Sequence, residues 1–125
     1  MVLGLLAFFF AFTPAWNHTF PPHKIAGNLY YVGTNQLSSY PAATPEGHIL
    51  VNSSYEESVP LIRTPVEKLG FKFTDIEILL LSHAHDDHAA GSALTSGHTR
   101  GCTTWTMKIQ DGASRERGSS WEAQT

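Results

Sequence analysis

The chain has 125 residues, 42% of them hydrophobic and 15% charged, with a formal net charge of −3. This length allows one domain at most, and the balance fits a globular core while offering no basic footprint for nucleic acid. Its single cysteine, Cys102, excludes an intramolecular disulfide framework and any cysteine-rich zinc finger.

Residues 1–15 read as a signal peptide, with a buried apolar segment of the mature fold as the alternative. Val2 to Phe12 is a continuous apolar run, shorter than the roughly 20 residues a membrane-spanning helix needs, and Thr13-Pro14-Ala15 serves as a small-residue cleavage site. A secreted chain with no stable membrane anchor is therefore predicted. Asn28 to Val32 ("NLYYV") is predicted as a strand ended by Gly33. Ser38 to Ala43 is predicted as a second strand, restricted to an edge or a bulge because Pro41 cannot donate to a ladder. Thr44–Gly47 ("TPEG") is a turn, and "HILVNS" returns as a strand, so Tyr40 to Ser53 reads as a hairpin.

Val59, Ile62, Val66 and Leu69 recur at helical spacing, and Gly70 follows as a stop. Pro60 suits a first turn. Pro65 removes an amide donor and clashes with the Leu61 carbonyl, which costs about 3 kcal/mol or more unless the helix kinks. Asp75 to Ser82 ("DIEILLLS") is a short apolar run of the kind buried on both faces of a parallel sheet. From Leu94 onward the periodicity fades, and residues 94–125 are predicted to form a divergent, disordered tail.

The chemistry concentrates in "SHAHDDHAAGS", Ser82 to Ser92, where the strand should end. Loops at the carboxyl ends of strands in α/β sheets commonly carry ligand sites. The pattern H-x-H-x-D-H supplies His83, His85, Asp87 and His88, all good zinc donors. In extended chain His83 and His85 project to one side and can share an ion. Asp87 and His88 lie beyond, where the chain must turn, and can reach a second. Two such ions would lower the pKa of a shared water and polarise a carbonyl. A solvated loop with incidental histidines is the alternative; four ligand-type residues at this spacing after an apolar strand favour the metal reading. Asp86 lies off the spacing and is expected to be solvent-exposed or bonded to backbone.

H-x-H-x-D-H after a hydrophobic strand resembles the metallo-β-lactamase superfamily. Together with "KIAGNLYYVGTNQLSSY", "TPEGHILVNSSYEESVPLIR" and "VEKLGFKFTDIEILLLSHAHDDHAAGS", it is similar to class B β-lactamases of the third subclass, over Trp16 to Ala93. The resemblance implies an α/β fold, a partial αβ/βα sandwich consisting mainly of the amino-terminal αβ half, occupying residues 16–93. It implies zinc, with two ions in the complete site, His83 and His85 on the first and Asp87 and His88 on the second. The implied substrate is a small-molecule β-lactam whose carbonyl is attacked by hydroxide, with Asp87 as the catalytic residue that orients it and relays its proton. The motif alone also suits thioesterases, lactonases and RNA-processing nucleases of the superfamily.

The family's remaining ligand histidines are expected farther downstream than this chain extends, which leaves two protein ligands per ion where a catalytic zinc takes three plus water. His98 is expected not to substitute, and His18, His23 and His48 to be surface or packing residues. Weak zinc binding with little or no hydrolysis is the expectation. A sheet lacking the family's second half should also expose one side. Read one base out of frame, Cys102 to Ile109 resembles the family's next strand, from which a frameshift near Leu94 to Gly97 is predicted. The sequence leaves the oligomeric state open.

Overall fold

Short β-branched and aromatic runs separated by turn residues build most of a sheet before the first long helix appears. The computed structural model describes residues 18–108 and 120–124, so the predicted signal peptide lies outside the described residues. Strands β1 (His23–Ala26), β2 (Leu29–Tyr31), β3 (Tyr40–Ala42) and β4 (His48–Val51) form an antiparallel meander. Helix α1 (Val59–Lys68) then crosses to β5 (Ile76–Leu81), parallel to β4. The short helices α2 (Asp86–Ala89) and α3 (Ser92–Gly97) lead to β6 (Thr103–Lys108), parallel to β5, and β7 (Ser120–Gln124) returns antiparallel. Among the described residues this is one seven-stranded sheet in sequential order. Because β4, β5 and β6 run parallel, their carboxyl ends share one edge.

Helix α1 forms where the apolar stripe predicts it. Val59, Ile62 and Val66 are buried on its inner side, and Pro60 occupies the first turn. The helix runs through Pro65 despite the missing donor, because burial of the proline ring against the fold offsets part of the lost bond. Its end is a Schellman motif: Gly70 N donates to Glu67 O at 3.0 Å and Phe71 N to Val66 O at 3.2 Å. Gly70 supplies the left-handed residue the motif needs, with φ of 89°.

Three expectations are corrected. First, β3 lies inside the sheet, between β2 and β4, with Pro41 buried. The missing donor falls on the β2 side, where the ladder holds on either side of the proline: Ala43 N donates to Asn28 O at 2.9 Å and Val32 N to Ser39 O at 3.1 Å. Second, β5 is buried on one face only. Leu79 and Leu81 are enclosed, whereas Ile78 and Leu80 on the other side remain partly exposed. Third, the residues after Leu94 include the end of α3 and the whole of β6. Thr103–Lys108 is rich in β-branched and aromatic residues and pairs in register with β5, Ile78 opposite Thr103 and Leu80 opposite Trp105.

The core lies on one face of the sheet. Leu50 and Leu79 sit side by side in register, both 0% exposed, beneath Val59, Ile62 and Val66 of α1, with Phe73 and Ile76 closing one end. The opposite face, with Ile49, Ile78 and Leu80, is partly exposed. Among the described residues no helix is long and apolar enough to cross a membrane.

Candidate metal centre

Strand β5 ends at Leu81, and Ser82 to His85 continue as bends before α2. The turn into α2 closes when His88 N and Ala89 N donate to His85 O at 2.9 and 3.0 Å. This reversal folds Asp87 and His88 back toward His83 and His85. The ring centroids of His83 and His85 stand 4.6 Å apart, and those of His83 and His88 3.9 Å apart. One ligand atom from each of His83, His85 and Asp87 falls within 4.8 Å of the others. His88 Nε2 lies 3.2 Å from Asp87 Oδ2. Asp87 therefore stands between the two groups rather than with His88 alone. Asp86 is exposed, as expected, and His98 lies outside the His83–His85–Asp87 group, exposed at the end of α3. His23 stacks on Tyr31 and His48 meets Phe71 edge-on, both as packing residues.

The donor set fits zinc. Ligands about 2.0–2.2 Å from a tetrahedral ion stand roughly 3.3–3.6 Å from one another. The His88–Asp87 pair is already at that spacing, and the His83–His85–Asp87 group needs side-chain rotations that close about 1 Å. Hydrogen bonding also sets the His88 tautomer. Ser82 donates its one hydroxyl proton to Asn52 Oδ1 at 3.0 Å, so its oxygen accepts from His88 Nδ1, also at 3.0 Å. Nε2 then faces the Asp87 carboxylate. It either carries a second proton and pairs with that carboxylate, or leaves a lone pair beside it for a cation.

Sequence reasoning missed the cradle beneath this loop. Asn52, Ser53 and Ser54, at the carboxyl end of β4, are all buried. Asn52 Oδ1 accepts from both the backbone and the hydroxyl of Ser82, each at 3.0 Å. Ser53 N and Ser54 N donate to His88 O at 3.0 and 3.2 Å, and Gly91 N donates to Ser54 O at 2.8 Å. Asn52 and Ser54 adopt left-handed conformations with φ of 62° and 59°. Such positions are held only where surrounding bonds over-determine them. The available signal was the polar run "VNSS", placed where a parallel strand should end beside the histidine loop.

No protein-family model matches the chain. Among solved structures it is similar to the native FEZ-1 metallo-β-lactamase from Legionella gormanii, at 58% identity over 68% of this chain and 32% of that one, with a TM-score of 0.66. It is also similar to MEM-A1, a subclass B3 metallo-β-lactamase isolated from a soil metagenome library, at 38% identity over 71% of this chain and 33% of that one, with a TM-score of 0.68. BJP-1 of Bradyrhizobium japonicum, of the same subclass, matches at 38% identity over 66% and 31%, with a TM-score of 0.63.

The chain carries a partial subclass B3 metallo-β-lactamase fold.

It spans about a third of the length of the metallo-β-lactamases it matches.

Proposed function

We propose that His83, His85, Asp87 and His88 are zinc ligands, and that this chain carries the ligand-bearing loop of a β-lactam-hydrolysing centre. The observation behind this reading is the convergence of three imidazoles and a carboxylate at the carboxyl end of a parallel strand. Zinc bound there would supply Lewis acidity and an activated water near neutral pH. The residues of the chain have separate tasks. His83 and His85 present nitrogen donors from the bends that follow β5, while His88 presents Nε2 in the tautomer that Ser82 and Asn52 select. Asp87 lies within reach of both groups, which suits a carboxylate that orients a nucleophile and takes up its proton.

A catalytic zinc normally takes three protein ligands and water. Four donors shared between two ions fall short of that, so the chain by itself should bind zinc weakly and hydrolyse β-lactams slowly or not at all. Calorimetric zinc titration with a chromogenic cephalosporin assay tests both parts. No heat of zinc binding would overturn the ligand assignment, and robust turnover by the intact chain would overturn the weak-centre reading. Export to the periplasm through residues 1–15 is part of the same proposal. Amino-terminal sequencing of the exported protein should begin after Ala15.

A further inference from the structure

We propose that in this chain His83, His85, Asp87 and His88 close around a single zinc ion instead of dividing between two. This count rests on the zinc reading above. A structural zinc site is tetrahedral with four protein ligands, and the loop supplies four. Divided in pairs, the same donors leave two ions half-ligated. Gathered, they complete one shell and leave none over.

The placement of the side chains favours gathering. Ligand atoms of His83, His85 and Asp87 already fall within 4.8 Å of one another, so the carboxylate belongs with the first two imidazoles. His88 Nε2 stands 3.2 Å from Asp87 Oδ2, close to the roughly 3.3–3.6 Å between ligands of one tetrahedral ion. The rings of His83 and His88 are also neighbours, with centroids 3.9 Å apart. Asp87 is thus the shared member of both groups. His88 is the anchored donor, its Nδ1 held by Ser82 Oγ at 3.0 Å and its carbonyl by Ser53 N and Ser54 N. His85 is exposed and Asp87 partly so, which leaves those side chains free to turn toward it.

Charge points the same way. Asp87 is the one carboxylate in the group, and Asp86, the other on the loop, is exposed and lies outside it. One divalent ion beside a single carboxylate leaves little uncompensated charge. A second ion would add two more positive charges with no further carboxylate in the group to offset them, and like charges a few ångströms apart repel strongly. A closed shell also lacks the open position that a catalytic zinc keeps. The lack of hydrolysis expected of this chain then follows from completed coordination, not from loss of the metal.

Zinc titration of the chelator-treated 125-residue chain, read by calorimetry and native mass spectrometry, counts the ions. One per chain is expected. Cobalt(II) in place of zinc should show the intense visible absorption of a four-coordinate ion, since five- and six-coordinate cobalt absorbs weakly. His85→Ala and His88→Ala, one from each pair, should both weaken the same single binding event at least about tenfold. Separate ions would instead let each variant keep one site at the parental affinity. Two ions of comparable affinity, half an ion per chain, or weak cobalt absorption would overturn the single closed site and leave the zinc reading standing. A folded His88→Ala chain that binds zinc as the parent does would also overturn it. If that variant fails to fold, the ion count and the cobalt spectrum of the parent decide. Binding of neither metal overturns the zinc reading itself, and the single site with it.

Discussion

Asn52→Ala should be among the most damaging single changes outside the core. Asn52 is 5% exposed, and its Oδ1 accepts two hydrogen bonds from Ser82, both at 3.0 Å. Each such bond is worth about 0.5–1.5 kcal/mol, and an unpaired donor left behind adds to the loss. Alanine must also adopt the φ of 62° that asparagine tolerates, at a further cost of about 1 kcal/mol. The sum is about 2–4 kcal/mol. Asn52→Gly removes the same bonds but accepts the backbone conformation, so it should recover roughly 1 kcal/mol relative to alanine. Urea denaturation of the three proteins measures both differences. Equal stability of the alanine and glycine variants would refute the backbone part of the reasoning, and variants within about 0.5 kcal/mol of the parent would refute the cradle altogether. Because Ser82 then loses the acceptor that fixes its proton, His88 should populate both neutral tautomers, which nitrogen NMR of the ring reads directly.

Other parts of the molecule give equally definite expectations. Gly91→Ala places a Cβ 2.7 Å from both Ser53 O and Val59 Cγ2, and should cost about 1–3 kcal/mol in thermal or urea unfolding. Ile62→Ala, at a site 1% exposed under α1, should cost about 2–5 kcal/mol. Asp87→Ala should weaken zinc binding by calorimetry at least about tenfold while leaving the unfolding midpoint of the zinc-free chain nearly unchanged, since Asp87 is only partly buried. Burial holds the Tyr31 phenol above its ordinary value of 10.0. Its neutral form is thus favoured in the fold, so this contribution to stability is complete below about pH 10 and is lost as pH rises through the raised value. Tyr31→Phe should flatten that alkaline fall in urea titrations.

Much of the fold was legible because its elements obey simple periodicities. The 59–62–66–69 stripe with Gly70 behind it became α1 and its Schellman end, and the TPEG turn became the β3–β4 reversal, with Gly47 N donating to Thr44 O at 3.3 Å. The failures have physical causes. Pro41 points to an edge or a bulge because it cannot donate to a ladder, yet neighbouring bonds on each side of one gap suffice. The run ILLL in β5 carries no alternation, so composition alone could not say that only one of its faces would be covered. The stretch after Leu94 lacks helical periodicity, but Thr103 to Lys108 acquires its strand from pairing with β5, a long-range partner that no local pattern reveals.

The candidate site shows the same division. Its four candidate donors could be named from the H-x-H-x-D-H spacing, and the structure brings His83, His85 and Asp87 together with His88 beside Asp87. What holds them was not legible, since Asn52 to Ser54 lie about thirty residues away and resemble an ordinary polar turn. The parallel arrangement of β4 and β5 brings the two loops together, with Asn52 N donating to Leu80 O at 2.8 Å as the last rung before they diverge. From that rung the chain of bonds runs through Asn52 to Ser82 to His88, so strand pairing reaches the imidazole without passing through solvent. The orientation of His88 thus depends on the register of the sheet. A one-residue slip of β4 against β5 would put Asn52 on the wrong side of the ladder and disconnect the site while leaving every donor in the sequence.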